Sequence, residues 1–125
     1  MLIALDVDGT IDPDPQVFQT LCAALRAAGI EVAVLTGLHG IKQVQPADVQ
    51  AKQQYLADLG FSAFDHLAVF PDNGDLPHLK AQWCRDHGAA VLIDNNRANC
   101  EAAQADTLCL LPWGTRMGRA KDGKA

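Results

Sequence analysis

Apolar positions along this chain fall into two alternating rhythms. Runs of strand length, rich in Val, Ile and Leu, occupy residues 2–7, 30–35, 66–70, 89–93 and 107–111. Between them apolar positions recur every three or four residues, as on one face of a helix. Asp14 followed by Pro15 supplies an N-cap and a first-turn proline. Val17, Phe18, Leu21, Cys22 and Leu25 then make the stripe, and Gly29 closes the helix. Pro46 opens a second helix carrying Val49, Leu56 and Leu59, and Gly60 ends it. Pro71-Asp72-Asn73-Gly74 reads as a turn. Asp75 caps a third helix that runs to His87, buried through Leu76, Leu79 and Trp83 and stopped at Gly88. Asn95 or Asn96 starts a fourth.

Five strands alternating with four helices predict an α/β fold with a parallel sheet in the middle layer of three. The length of 125 residues suits one domain over residues 1–114, with 115–125 as a basic tail. Hydrophobic residues at 49% and charged residues at 20% match globular averages and exclude a disordered chain. No apolar run reaches membrane-spanning length, and the first residues lack the basic segment of a secretory signal, so a cytoplasmic protein is expected. Cys22, Cys84, Cys100 and Cys109 are widely spaced with no CxxC pair, which fits reduced core thiols better than a zinc site or disulfide frame. The net charge is −5, but the tail holds Arg116, Arg119, Lys121 and Lys124 against Asp122 alone, which leaves the body at −8. So acidic a body disfavours nucleic acid as a partner.

In sheets of this type ligands bind outside the carboxyl ends of the strands. The first strand ends Asp6-Val7-Asp8-Gly9-Thr10, the second Thr36-Gly37 and the fourth Asp94-Asn95. Two carboxylates about 4 Å apart repel by roughly 4 kcal/mol at an effective dielectric near 20. Three of them clustered would force one to take a proton unless a cation relieves the conflict. An all-oxygen site with few protein ligands suits Mg²⁺.

Asp6-Val7-Asp8-Gly9-Thr10 after an apolar strand resembles the first motif of the haloacid dehalogenase (HAD) superfamily, in the form its phosphatases use. Thr36 is similar to the second motif, Lys80 on the third helix to the third, and Asp94-Asn95 to the fourth. The resemblance implies a three-layer Rossmannoid fold and a Mg²⁺-dependent phosphomonoester hydrolase. Asp6 would be the nucleophile that forms an aspartyl-phosphate, and Asp8 the general acid/base. Asp6, the Asp8 carbonyl, Asp94 and Asn95 would hold Mg²⁺. Thr36 and Lys80 would bind the phosphoryl oxygens, with Gly9, Thr10 and Gly37 lining the substrate site.

Two departures stand out. Family members often carry a second acid after the metal-binding aspartate, where this chain has Asn95, Ala98 and Asn99. The hairpin flap after the first motif shrinks to residues 11–14. Neither residues 9–35 nor residues 37–79 leave room for a cap domain. The site is therefore expected to be open to a phosphorylated substrate, or covered by the 38–45 loop or by a second subunit of a homo-oligomer. A catalytically inactive HAD-like binding or regulatory module is the alternative. A phospho-receiver domain fits less well, since Asp94 and Pro112-Trp113 stand where it needs a hydroxyl and a lysine.

Overall fold

A computed structural model describes residues 1–113; the basic stretch expected as a tail lies outside the described residues. The elements run β1 (Leu2–Leu5), α1 (Pro15–Ala27), β2 (Glu31–His39), α2 (Pro46–Leu59), β3 (His66–Asp72), α3 (Leu76–His87), β4 (Ala89–Ile93), α4 (Arg97–Ala103) and β5 (Leu108–Leu110). The five strands form one sheet in the order β3-β2-β1-β4-β5, with every neighbouring pair parallel. β1 is thus central, with β2 on one side and β4 on the other. The direction of winding reverses at β1, which opens a crevice at its carboxyl end.

β1 is buried throughout because its alternate side chains feed two cores. Ile3 and Leu5 join Phe18 and Cys22 of α1, Val32 and Val34 of β2, and Leu56 of α2. Leu2 and Ala4 join Ala33 and Leu35 of β2, Ala81 and Cys84 of α3, Leu92 of β4 and Ala103 of α4. This is the three-layer α/β arrangement expected from the alternation of elements. No helix among the described residues is long and apolar enough to cross a membrane.

Local signals set most boundaries. The Asp14 carboxylate accepts from the Val17 N–H at 3.3 Å, capping α1, and Pro15 occupies its first turn. Asn96, not Asn95, caps α4, accepting from the Asn99 N–H at 3.2 Å. β2 runs four residues beyond its expected end because β3 pairs with it to the last residue, His39 opposite Asp72. Pro71 and Asp72 are therefore strand residues, not a turn. β3 is an edge strand, where a missing N–H on Pro71 is tolerated. Phe18 and Cys22 carry the buried face of α1, and Val17 and Leu21 of the expected stripe are exposed. Cys22, Cys84 and Cys100 are buried and Cys109 half-buried, all as free thiols.

Candidate ligand and cation site

At Asp6 the chain leaves the β1 ladder but stays tied to β4, its N–H donating to the Ile93 carbonyl at 2.9 Å. The next residues form a tight turn in which the Thr10, Ile11 and Asp12 N–H groups all donate to the Val7 carbonyl. Gly9 sits in this turn with φ of +79°, and a Cβ there would fall 2.4 Å from the Asn95 side chain. Backbone conformation and close approach both demand glycine. The Gly9 N–H donates to Asp12 Oδ1 at 2.7 Å, which fixes the turn. Thr10 is fully buried rather than open to a ligand. Its hydroxyl lies 3.2 Å from Asp6 Oδ2 and accepts the Asn95 N–H at 3.0 Å, joining the ends of β1 and β4.

Lys80 is the electrostatic centre. Its ammonium donates to Asp6 Oδ1 at 2.8 Å and to Asp94 Oδ2 at 2.9 Å, and its side chain is 1% exposed. Asp94 Oδ2 also accepts the Asn99 side-chain amide at 3.0 Å, and Oδ1 accepts the Asn96 N–H at 2.8 Å. Both Asp94 oxygens are thus engaged from within the fold. α3 buries Lys80, Ala81 and Cys84, whereas Leu76, Leu79 and Trp83, expected to face the core, are only half-buried. A charged side chain reaching two carboxylates has set the phase of that helix against its apolar pattern.

One ammonium serving two carboxylates leaves both under-neutralised. Burial pushes the Asp6 carboxyl up to about 6, with Lys80 pulling it down and Asp94 and Asp8 adding to the rise. Burial works against the Lys80 charge too, but Asp6 and Asp94 outweigh it and hold the ammonium above the usual lysine range. The cluster of Asp6, Asp8, Asp94 and Lys80 keeps an excess of negative charge.

Asn95 ties the tips of β1 and β4 together: its side-chain nitrogen donates to the Asp8 carbonyl oxygen and to Asp6 Oδ2, each at 2.8 Å. No group of three His, Cys, Asp or Glu side chains among the described residues is arranged to hold a metal.

A cavity of about 80 Å³ opens beside these groups, lined by Asp6, Asp8, Gly37, Lys80, Asn95 and Asn99 among others. That is the space of two to three waters. Of the residues singled out in the sequence, Asp6, Asp8, Gly37, Lys80 and Asn95 meet at this cavity, and Asp94 lies behind Lys80. Thr36 does not line it. Thr36 is fully buried in β2, and its hydroxyl has no hydrogen-bond partner among the described residues. Sequence reasoning missed Asn99, Asn96 and Asp12, whose roles rest on contacts a linear reading does not display. Asp72, for which the end of the third strand offers a place in the cleft as readily as a turn role, lines the cavity from β3.

No protein-family model matches this chain, and no curated protein matches it. Among solved structures, a protein from the universal stress protein family of Burkholderia pseudomallei is similar, with a TM-score of 0.52 and 11% identity over 87% of this chain and 92% of that one. At this identity the likeness shows the fold, a Rossmann-like three-layer architecture. It also corrects the family reading. The HAD assignment does not stand, because the similarity that emerges is to a different α/β family. With it fall the hydrolase and phosphatase classes, the aspartyl-phosphate on Asp6 with Asp8 as acid/base, and the HAD-like regulatory module offered as alternative. The physical reason lies in the motifs. They are one to five residues long and stand mostly at strand ends, where any parallel α/β sheet presents polar groups, and one fold hosts many functions.

Proposed function

We propose that this chain is a binding domain, whose site at the tips of β1 and β4 takes a divalent cation and a small anionic ligand without turning it over. The observation that carries this reading is the cavity that the oxygen-bearing Asp6, Asp8 and Asn95 line together beside Lys80, whose single buried ammonium is already shared between Asp6 and Asp94. Mg²⁺ suits that all-oxygen set, with water or ligand oxygens completing its coordination. When bound, the cation supplies positive charge that holds an anion.

The chain's own residues do the rest. Lys80 keeps Asp6 oriented through Oδ1, leaving Oδ2 for the cation, and Asp94 with Asn99 holds Lys80 in place. Thr10 locks the turn so that the Asp8 carbonyl points inward. The name of the structural neighbour adds a setting, a role in the response to stress exercised through what the site binds.

Calorimetric titration with MgCl₂, followed by inorganic phosphate, tests this reading. One Mg²⁺ per chain is expected in the wild type, with phosphate binding strengthened once the ion is bound. Asn95→Ala and Asp6→Asn are expected to weaken Mg²⁺ binding by tenfold or more. Absence of Mg²⁺ binding, or release of phosphate from an aryl phosphate at enzymatic rates, would overturn it.

A further inference from the structure

Beside the cation site, and sharing Asp8 with it, lies a wider groove of about 400 Å³ lined by Leu38, Asp48, Ala51, Lys52 and Tyr55. Its walls come from the end of β2 and from α2, which contributes little else to the core than Leu56. Three features of the groove point to a ligand. Tyr55 is 38% exposed, a large aromatic face left on the surface beside an anion-binding crevice. Its hydroxyl reaches Asp12 Oδ2 at 3.4 Å, and Asp12 Oδ1 in turn holds the Gly9 N–H, so the ring is tied to the turn that carries Asp8. Lys52 lies 5.5 Å over the Tyr55 ring and makes no salt bridge among the described residues. The neighbouring acid, Asp48, is occupied with the Gln45 N–H at 2.8 Å, capping α2.

We infer that this groove receives the body of the ligand whose anionic head lies at the cation site, and that this body is an aromatic ring bearing a second anionic substituent. This inference rests on the binding reading above and adds the chemical class of the ligand. The ring would pack on Tyr55 and Leu38, a flat apolar surface against a flat apolar surface. The substituent would meet Lys52, the one cation among the described residues that line the groove. Asp8 and Asp48 on the same walls repel a ligand whose negative charge falls anywhere else, which fixes its direction along the groove.

The test compares three probes in saturating Mg²⁺ by calorimetry: ethyl phosphate, phenyl phosphate and 4-carboxyphenyl phosphate. Phenyl phosphate is expected to bind about tenfold more tightly than ethyl phosphate, and 4-carboxyphenyl phosphate several-fold more tightly again. Tyr55→Leu should abolish the first preference and Tyr55→Trp should keep it; Lys52→Met should abolish only the second. Equal binding of ethyl and phenyl phosphate by the wild type, or a ring preference that survives Tyr55→Leu, overturns the inference while leaving the cation site standing. Failure of all three probes together with failure of Mg²⁺ binding removes the site itself, a separate result.

Discussion

Lys80 and Asp94, fourteen residues apart, form a fully enclosed ion pair at 2.9 Å, with the lysine side chain 1% exposed and the aspartate 0%. Such a pair is costly to break from one side, since the surviving charge stays buried. Lys80→Met leaves Asp6 and Asp94 facing one another. It is expected to lower unfolding free energy by about 3–5 kcal/mol, read from urea denaturation. Added Mg²⁺ should restore part of that loss by replacing the missing positive charge, and the melting temperature of the variant should respond to Mg²⁺ more than that of the wild type.

Thr36 separates stability from binding. Its hydroxyl is buried with no partner among the described residues, so Thr36→Val removes an unpaired polar group at almost constant shape. The free protein should be as stable as the wild type or more so by about 1 kcal/mol. Phosphate affinity in the presence of Mg²⁺ should stay unchanged, because Thr36 does not line the cavity, and a thermal melt with and without ligand checks both outcomes.

Gly9 is held at φ of +79° against the Asn95 amide. Gly9→Ala should cost about 1–3 kcal/mol through backbone strain and displace Asn95. Weakened Mg²⁺ binding is expected beyond what the loss of stability explains, measured by calorimetry at a temperature where the variant is folded.

Asp65 carries the pH dependence of the sheet edge. Its Oδ2 accepts the Val32 N–H at 2.9 Å at the start of β2, and its Oδ1 accepts from the Arg26 guanidinium at 3.1 Å. The Val32 hydrogen bond chiefly, then Arg26, holds its carboxyl below the ordinary value of 3.8. A carboxyl lowered in the folded state contributes stability above its unfolded value and loses it as the pH falls through the folded one. Asp65→Asn should therefore flatten the decline in stability below about pH 4, visible as a smaller difference between denaturation midpoints at pH 6 and pH 3.

The order of elements was legible because each helix carries its own punctuation. Asp14-Pro15, Gly60 and Gly88 stand where the helices begin and end, and β4 falls on the residues expected for it. The strand-tip residues Asp6, Asp8 and Asn95 were also visible, since ligand sites in parallel sheets form outside the carboxyl ends of the strands. What failed depended on partners distant in sequence. β2 continues past Gly37, a poor strand signal, because β3 completes its hydrogen bonds. α3 turns Lys80 inward because two carboxylates wait for it, a force no hydrophobic pattern contains. Family membership was not legible, since its motifs describe the carboxyl ends of parallel strands more than a lineage.

The central claim is that Asp6 and Asp8, at the tip of β1, hold a cation in the cavity beside Lys80. A crystal grown with MnCl₂ and measured at the manganese absorption edge addresses it directly. One anomalous peak within about 2.0–2.3 Å of Asp6 Oδ2 and the Asp8 carbonyl oxygen is the expected result. A difference map with no peak there would contradict the account.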